Sequence, residues 1–322
     1  MRICILTDEE PQDFDPAPYM QGFDWEMVTM TDPVIDVLRG LEARQEFDIY
    51  LNLCEGYEND EDADWDYQGI DVVRALEELN LPFTGADSRF FDPTREEMQA
   101  AADANGVSFV KGYKVTSVAE AEGLVQGLRY PIMVKHPKSY GSTGMFRESR
   151  VDTPEQLAAQ VGRVCAEFGA ARMEEFIVGK EYNVLVVDDP DDLEHPIAYP
   201  PAELVFPPGE EFWHTDVKWD YNVPFDFKRV TDPDLVSRLH DIAVRMYKAM
   251  DGVSCGRCDI RMNEQGELFI LEINPNPAIM LKPAEYGPAD YMILYDEGGY
   301  RLFFDRLFRV ALERHKMKAA AK

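Results

Sequence analysis

The chain has 322 residues, of which 45% are hydrophobic and 11% aromatic, a composition typical of a globular protein. Its 61 acidic and 32 basic residues give a formal net charge of −29, which makes nucleic acids and anionic membranes poor partners. No stretch approaches the ~18 apolar residues of a membrane helix, and the first apolar run is too short for a signal peptide. Five scattered cysteines, interpreted as reduced thiols, predict a cytoplasmic protein.

The first part of the chain alternates between predicted strands and helices. Residues 2–7 and 47–53 are short apolar runs that predict strands. Residues 33–44 and 70–80 carry apolar side chains at helical spacing. Strand, helix, strand and helix in this order predict a small parallel α/β domain, which we place at residues 1–92.

The middle of the chain mixes the two kinds of element differently. Residues 92–106 and 153–169 predict helices, each with a recognisable start or stop signal. Residues 130–137 predict one strand, and residues 171–187 predict two strands that meet at a glycine. We place this α+β unit at residues 93–182.

The last part of the chain, residues 183–322, contains a predicted hairpin between two helices. The helices are expected at residues 232–250 and near residues 298–316. The hairpin strands are expected at residues 256–263 and 266–274, with a glycine at the turn. The whole chain is therefore predicted to be α/β (α+β), with an N-terminal parallel domain and two α+β units.

Carboxylates interrupt both apolar strands of the predicted hairpin. Asp259 and Glu272 lie on opposite strands, and two close, buried carboxylates repel each other unless a cation lies between them. With the Asn274 carbonyl they form an oxygen ligand set that suits Mg²⁺ or Mn²⁺ better than zinc. Because Mg²⁺ usually keeps positions for phosphate oxygens, the set points to a nucleotide. For either acid alone, an exposed position on an edge strand is the simpler interpretation.

Cations and a glycine-rich loop accompany these acids. Lys135 ends an apolar strand, and the segment SYGSTGM at residues 139–145 offers N–H groups and hydroxyls to phosphates, although most such loops are ordinary turns. Arg257 lies two residues before Asp259 and therefore faces the same side of its strand. A guanidinium beside a metal site suits phosphoryl or acyl transfer, in which negative charge builds up on oxygen.

Together these motifs resemble those of the ATP-grasp enzymes, in particular the D-alanine–D-alanine ligase type, over residues 51–278. The most specific match is GRCDIRMNEQGELFILEINPNPA, which ends at Ala278. Further similar segments are NLPFTGAD, YPIMVKHPKSYGSTGM, MEEFIVGKEYNV and FWHTDVKW. The resemblance implies an ATP-grasp fold, in which the central and C-terminal α+β subdomains enclose ATP.

The resemblance also implies a role for individual residues. It assigns the nucleotide to Arg95, Lys135, Glu174, Glu175, Phe176, Ile177, Glu181, Lys218 and Leu271. It assigns the metal ion to Asp259, Glu272 and Asn274, and catalysis to Arg257, Ser142 and Lys218. For the substrates it points to Ser142, Trp219, Ala278 and Lys282.

The sequence departs from the family pattern on the substrate side. The family's glycine-rich loop after the first strand is not recognisable. Trp219 stands where the ligases have a tyrosine, and Ala278 where they have a glycine. The Ser-Leu pair that holds the acceptor carboxylate is replaced, and Lys282 is a candidate to take over that carboxylate. Because these departures concern the substrate side, we expect the ATP-binding site to be intact and both amino-acid pockets to be altered.

The leading hypothesis is an ATP-dependent carboxylate–amine ligase that forms an amide or peptide bond between amino-acid-like substrates through an acyl phosphate. The alternatives are a true D-alanine–D-alanine ligase and a non-catalytic, nucleotide-binding regulatory module. We expect ATP and Mg²⁺ (or Mn²⁺) as cofactors, and a small carboxylate and a small amine as substrates. Since the family often dimerises, a homodimer is an alternative to a monomer.

Overall fold

The protein is described by a computed structural model for residues 1–8, 14–55, 68–138, 142–215 and 226–320. In these ranges the chain forms three sheets. None of the helices in the described part of the chain combines the length and the apolarity needed to cross a bilayer.

The first sheet is parallel, as the sequence predicts, with the strand order β2-β1-β3. Its elements are β1 (Arg2–Thr7), β2 (Asp24–Thr29), helix α1 (Val34–Arg44), β3 (Ile49–Asn52) and helix α2 (Gly69–Glu78). Alternate residues of β1 point to opposite faces. Leu6 packs with the buried residues of α1 and α2, whereas Ile5 packs with the C-terminal helix of the chain. Both faces of this small sheet are therefore covered.

The second sheet is antiparallel, with the strand order β4-β7-β5-β6. It follows helix α3 (Arg95–Ala104) and comprises β4 (Gly112–Val115), helix α4 (Val118–Leu124), β5 (Ile132–Lys135), β6 (Arg150–Val151), helix α5 (Pro154–Phe168) and β7 (Ala171–Glu175). Thr153 caps α5 by accepting a hydrogen bond from the Gln156 N–H at 3.3 Å. The two predicted helices of this region are thus confirmed, and the predicted strand at residues 130–137 is β5.

The third sheet has six antiparallel strands and contains the predicted hairpin. Its elements are β8 (Gly179–Asp189), β9 (Asp192–Ala198), β10 (Ala202–Val205), β11 (Asp226–Arg229), helix α6 (Pro233–Ala249), β12 (Cys255–Asn263) and β13 (Leu268–Asn274). The strand order is β11-β10-β8-β12-β13, and β9 pairs with β8. Helices α7 (Pro288–Tyr295) and α8 (Gly299–Ala320) follow. The core on one face contains α6, and the core on the other contains α7 and α8.

Two details of the predicted secondary structure are wrong. The many prolines and aromatic residues of residues 199–226 predict a loop, but β10 lies in this segment and pairs with β8 and β11. The break between the two strands expected at residues 171–187 lies at residues 176–178, so Gly179 begins β8 instead of dividing the strands.

Gly179 provides a stability test of the start of β8. Its φ is +145°, and an added Cβ would lie 2.0 Å from the backbone oxygen of Met262. Gly266 also has a positive φ, of +78°, but a Cβ added there would meet no described atom within 4 Å beyond its chain neighbours. We expect Gly266→Ala to lower the free energy of unfolding by about 1 kcal/mol, because alanine disfavours this backbone conformation. Gly179→Ala should cost at least about 2 kcal/mol, because the backbone must also shift. Equal losses of unfolding free energy in the two variants, measured by urea unfolding, would contradict the close approach at Gly179.

Candidate active site

A cavity of about 1130 Å³ is lined by residues from all three sheets. The second sheet contributes Lys135 and Glu174, and the third contributes Arg257 and Glu272. Residues of the first sheet and its loops, such as Thr7 and Asn52, line another part of the cavity. Clefts between subdomains are common places for ligand binding, so this cavity is the candidate active site.

The hairpin of β12 and β13 brings the predicted metal and catalytic residues into register. Arg257 pairs with Asn274, and Asp259 pairs with Glu272. The register shifts immediately afterwards, because Ile260 pairs with Ile270 and Leu271 is the extra residue of a bulge. The four polar residues all line the cavity, as predicted from the alternation of side chains along each strand.

Two donors hold the Asp259 carboxylate. Arg257 donates from Nε to Oδ1 at 2.8 Å and from Nη2 to Oδ2 at 3.0 Å, so this ion pair is bidentate. Asn183 on β8 donates from Nδ2 to Oδ1 at 2.7 Å. Asn183 was not predicted from the sequence, because its position opposite Asp259 depends on the register of β8 with β12.

Glu272 is paired with Arg95, the first residue of α3. The Arg95 guanidinium forms an ion pair with the Glu272 carboxylate and donates to the Leu271 carbonyl at 3.3 Å. Burial acts to raise the pKa of Glu272, but Arg95, Lys135 and Arg257 outweigh this effect and lower the pKa to about 2. Glu272 is therefore ionised at neutral pH. The predicted nucleotide residue Arg95 contacts a predicted metal ligand in this structure.

The chemistry of the donors fits a hard divalent cation. Asp259 and Glu272 present carboxylates from directly opposed positions, and Asn274 lies next on the same strand as Glu272. Among the residues that the structure describes, no three His, Cys, Asp or Glu side chains are grouped as a metal site. A divalent ion at this place would therefore need the Asn274 carbonyl and further oxygens, such as those of a phosphate, beside the two carboxylates.

A second charged cluster surrounds Lys135 and Glu174. Their side chains form a buried ion pair, and Arg172 donates from Nε to Glu174 at 3.0 Å. Burial opposes ionisation of Glu174, yet Lys135 and Arg172 lower its pKa, whereas burial and the nearby Arg95 lower the pKa of Lys135. The buried Arg172, which the sequence analysis missed, also connects this cluster to α3 through Glu96 and Gln99 at 2.9 Å each.

Glu181 forms a third buried pair, with Arg261. Arg261 donates from Nε to Glu181 at 3.0 Å and from Nη1 to the Ile177 carbonyl at 2.9 Å, and it lies 4.5 Å from the centroid of the Phe176 ring. Burial raises the pKa of Glu181, and the charge of Arg261 offsets part of this effect. Arg261 was missed, although the alternation that links Arg257 to Asp259 also places Arg261 on this face.

The backbone N–H groups at the end of β7 and just after it already donate hydrogen bonds within the protein. The Glu175 N–H donates to the Lys111 carbonyl at 2.9 Å, and the Phe176 N–H donates to the Pro131 carbonyl at 2.8 Å. The Glu175 side chain pairs with Arg129 at 2.8 Å.

The structure brings the predicted site residues to one cavity wherever it describes them. The residues of this set that line the cavity are Arg95, Lys135, Ser142, Glu174, Glu175, Phe176, Ile177, Glu181, Arg257, Asp259, Leu271, Glu272, Asn274, Ala278 and Lys282. Lys218 and Trp219 lie outside the described residues.

The fold is that of the ATP-grasp ligases. Over 100% of this chain and 96% of the other, the structure is similar to the D-alanine–D-alanine ligase from Coxiella burnetii, with a TM-score of 0.71 and 13% identity. The ATP complex of the D-alanine–D-alanine ligase from Bacillus anthracis has a TM-score of 0.68 and 16% identity, with 99% of each chain covered. The predicted fold class is thereby confirmed.

Sequence comparison identifies the family. The D-alanine–D-alanine ligase of Bacillus pumilus is 26% identical over 295 residues, which cover 87% of this chain and 75% of that protein. The family model described as "D-ala D-ala ligase C-terminus" matches residues 104–281, more than half of the chain. The chain therefore belongs to the D-alanine–D-alanine ligase C-terminus family, and the predicted class of ATP-grasp carbon–nitrogen ligase is confirmed.

Proposed function

We propose that the protein uses ATP to join the carboxylate of one amino-acid-like substrate to the amine of another. The γ-phosphoryl group passes to the carboxylate, which gives an acyl phosphate and ADP. The amine then attacks the acyl carbon, phosphate leaves with the bonding electrons, and the amine loses a proton. The observation that carries this proposal is the row of Arg257, Asp259, Glu272 and Asn274 on a cavity that Lys135 also lines.

The division of the nucleotide-binding roles follows the family pattern, and the described residues of this set line the cavity. Lys135 supplies positive charge to the phosphates, and Lys218 is proposed for the same role from the sequence alone. Glu174 and the backbone of residues 175–177 bind adenine, and Glu181 binds the ribose. Because the N–H groups of Glu175 and Phe176 already donate within the protein, the Ile177 N–H is the donor of this segment that we expect to face the base.

The hairpin supplies the groups nearest to the transferred phosphoryl group. Asp259, Glu272 and Asn274 would hold Mg²⁺ or Mn²⁺, which neutralises phosphate charge when it is bound. Arg257 stabilises the charge that builds up on the transferred group and on the acyl oxygen. Ser142, which lines the cavity, helps to exclude water from the acyl phosphate, which water would otherwise hydrolyse.

D-alanine–D-alanine ligation is the second candidate function. The relatives that carry this name favour it, while Ala278 and Lys282 at the substrate side favour a different acceptor. The domain limits at residues 92 and 182, a cytoplasmic location and a homodimer stay predictions.

A co-substrate screen tests the proposed function. The purified protein is incubated with ATP, Mg²⁺ and pairs of D- and L-amino acids, and the products are read by mass. We expect one or more pairs to give an amide together with an equal amount of ADP. Nucleotide binding with no ADP from any pair would favour a regulatory binding module, and an amide from D-alanine alone would establish the second candidate.

A further inference from the structure

One buried carboxylate ties both ends of the loop that follows β13. Asp290 in the first turn of α7 is fully buried. Its Oδ1 accepts a hydrogen bond from the Met280 N–H at 2.8 Å, and its Oδ2 accepts one from the Gly287 N–H at 3.0 Å. The Tyr300 hydroxyl also donates to Oδ1. Residues 280–287 therefore form a closed loop, which we call the Asp290 loop.

The Asp290 loop is also fixed from the N-terminal part of the chain. The Tyr19 hydroxyl donates to the Leu281 carbonyl, and the ring centroids of Tyr19 and Tyr300 are 4.7 Å apart. Met280 has a φ of +61°, a left-handed conformation that is uncommon for a side chain of this kind. Such a conformation persists only where the surroundings determine it. The loop is thus held in one shape by contacts from three parts of the chain.

From its position, we expect the Asp290 loop to contact a substrate and not the nucleotide. It begins six residues after the predicted metal ligand Asn274, and every residue from Met280 to Gly287 lines the cavity. The nucleotide residues of the second sheet are on other elements, whereas the loop accepts a hydrogen bond from Tyr19 in the N-terminal part of the chain. A rigid loop at this place can recognise the amine acceptor.

Aromatic side chains surround this part of the cavity. Tyr286 belongs to the loop itself, Tyr19 contacts the loop, and Phe227 and Tyr291 line the same cavity. The ring centroids of Phe227 and Tyr291 are 5.0 Å apart, and Tyr286 meets Tyr291 edge-to-face at 6.0 Å. Aromatic walls bind ligands by burying apolar surface and by ring contacts. The methyl group of alanine would cover little of this wall, whereas an aromatic side chain would add a further ring to it.

We propose that the Asp290 loop is a preformed recognition element for an acceptor amino acid with an aromatic side chain, whose carboxylate Lys282 binds. This inference rests on the proposed ligase function. Asp290 is a positioning residue for the loop, and Tyr291 determines the preference for an aromatic side chain.

Calorimetric titration of the protein saturated with Mg²⁺ and the non-hydrolysable nucleotide AMPPNP tests the preference. D- and L-forms of phenylalanine, tryptophan and alanine are titrated separately. We expect at least one aromatic amino acid to bind at least ten times more tightly than alanine of the same chirality. Tyr291→Ala should abolish this difference and leave the AMPPNP affinity unchanged. Alanine binding as tightly as every aromatic amino acid, or no binding of any aromatic amino acid, would overturn the inference.

The same titrations separate this inference from the proposed function. A protein that binds AMPPNP and prefers alanine contradicts the inference and leaves the ligase proposal in place. A protein that does not bind AMPPNP contradicts the ligase proposal itself.

Substitution of Asp290 tests the positioning role. Asp290→Asn keeps the volume of the side chain, but its NH₂ group replaces an oxygen that accepts a hydrogen bond from a loop N–H. We expect it to weaken binding of the aromatic amino acid at least tenfold with no change in AMPPNP affinity. Asp296→Asn is the matched control, since Asp296 follows the same helix and pairs with Arg306 at 3.7 Å instead of contacting the loop.

Tyr300→Phe provides a second variant if Asp290→Asn does not fold. It removes one donor to Asp290 and retains the buried ring, so we expect a smaller loss of aromatic amino-acid affinity, again without loss of AMPPNP affinity. Acceptor binding like that of the unmodified protein in both variants would overturn the positioning role, as would an equal loss of nucleotide and acceptor affinity.

Discussion

Arg257→Ala is expected to lower kcat about 10³-fold. Removal of one pre-organised donor to a developing oxyanion lowers kcat roughly 10²–10³-fold, and removal of an arginine at a transferred phosphoryl group lowers it about 10³-fold or more. Arg257 is suited to this role, since its bidentate contact with Asp259 fixes the guanidinium in the cavity. ADP release over time measures the effect, and circular dichroism verifies the fold. The Asn183 amide still donates to Asp259 in the variant, so the carboxylate keeps one partner.

Two further variants sharpen the Arg257 experiment. Arg257→Lys keeps the charge but loses the forked geometry, and we expect it to recover only part of the lost rate. Arg245→Ala is the control, because Arg245 is an exposed residue of α6 that pairs with Asp241 outside the cavity. ADP release by Arg257→Ala at the rate of the Arg245→Ala control would contradict the assigned role.

Glu272→Gln should weaken binding of Mn²⁺ in the presence of ADP by about 10²-fold or more, because it removes one of the two carboxylates of the proposed metal site. The substitution also removes the negative charge that pairs with Arg95, so we expect a loss of unfolding free energy of about 1–3 kcal/mol. Mn²⁺ binding is read by electron paramagnetic resonance, which does not depend on turnover.

Glu267→Gln is the matched control for Glu272→Gln. Glu267 lies at the turn of the same hairpin, where it is exposed and hydrogen bonds to Asn263. We expect Mn²⁺ affinity like that of the unmodified protein for this control. If Glu272→Gln binds Mn²⁺ as tightly as the control does, the metal site does not include Glu272.

The hairpin shows what the sequence could predict. Its strands have clear apolar runs and a glycine turn, so β12 and β13 and the convergence of Asp259 with Glu272 were predictable from local pattern. By contrast, β10 has only four residues and lies between prolines. Because prolines are typical of loops, the sequence pattern does not predict so short a strand here. The partly buried β2 was also missed, because it lacks the continuous apolar run of a central strand.

Partners of the site residues were harder to predict than the residues themselves. Asn183 reaches Asp259 through the pairing of β8 with β12, and Arg95 reaches Glu272 from a helix 177 residues earlier in the chain. Such contacts depend on how distant elements pack, which a local pattern does not report. Arg261 is the exception, because its place in the alternation of β12 could have been recognised.

Transfer of ¹⁸O from the donor carboxylate to phosphate tests the central claim most directly. The donor identified in the co-substrate screen is labelled in its carboxylate and is incubated with ATP, Mg²⁺ and the acceptor. If the carboxylate is phosphorylated and the amine then displaces phosphate, one labelled oxygen per amide formed must appear in inorganic phosphate. Amide formation with unlabelled phosphate would contradict the acyl-phosphate route, and with it the roles proposed for Arg257 and the hairpin carboxylates.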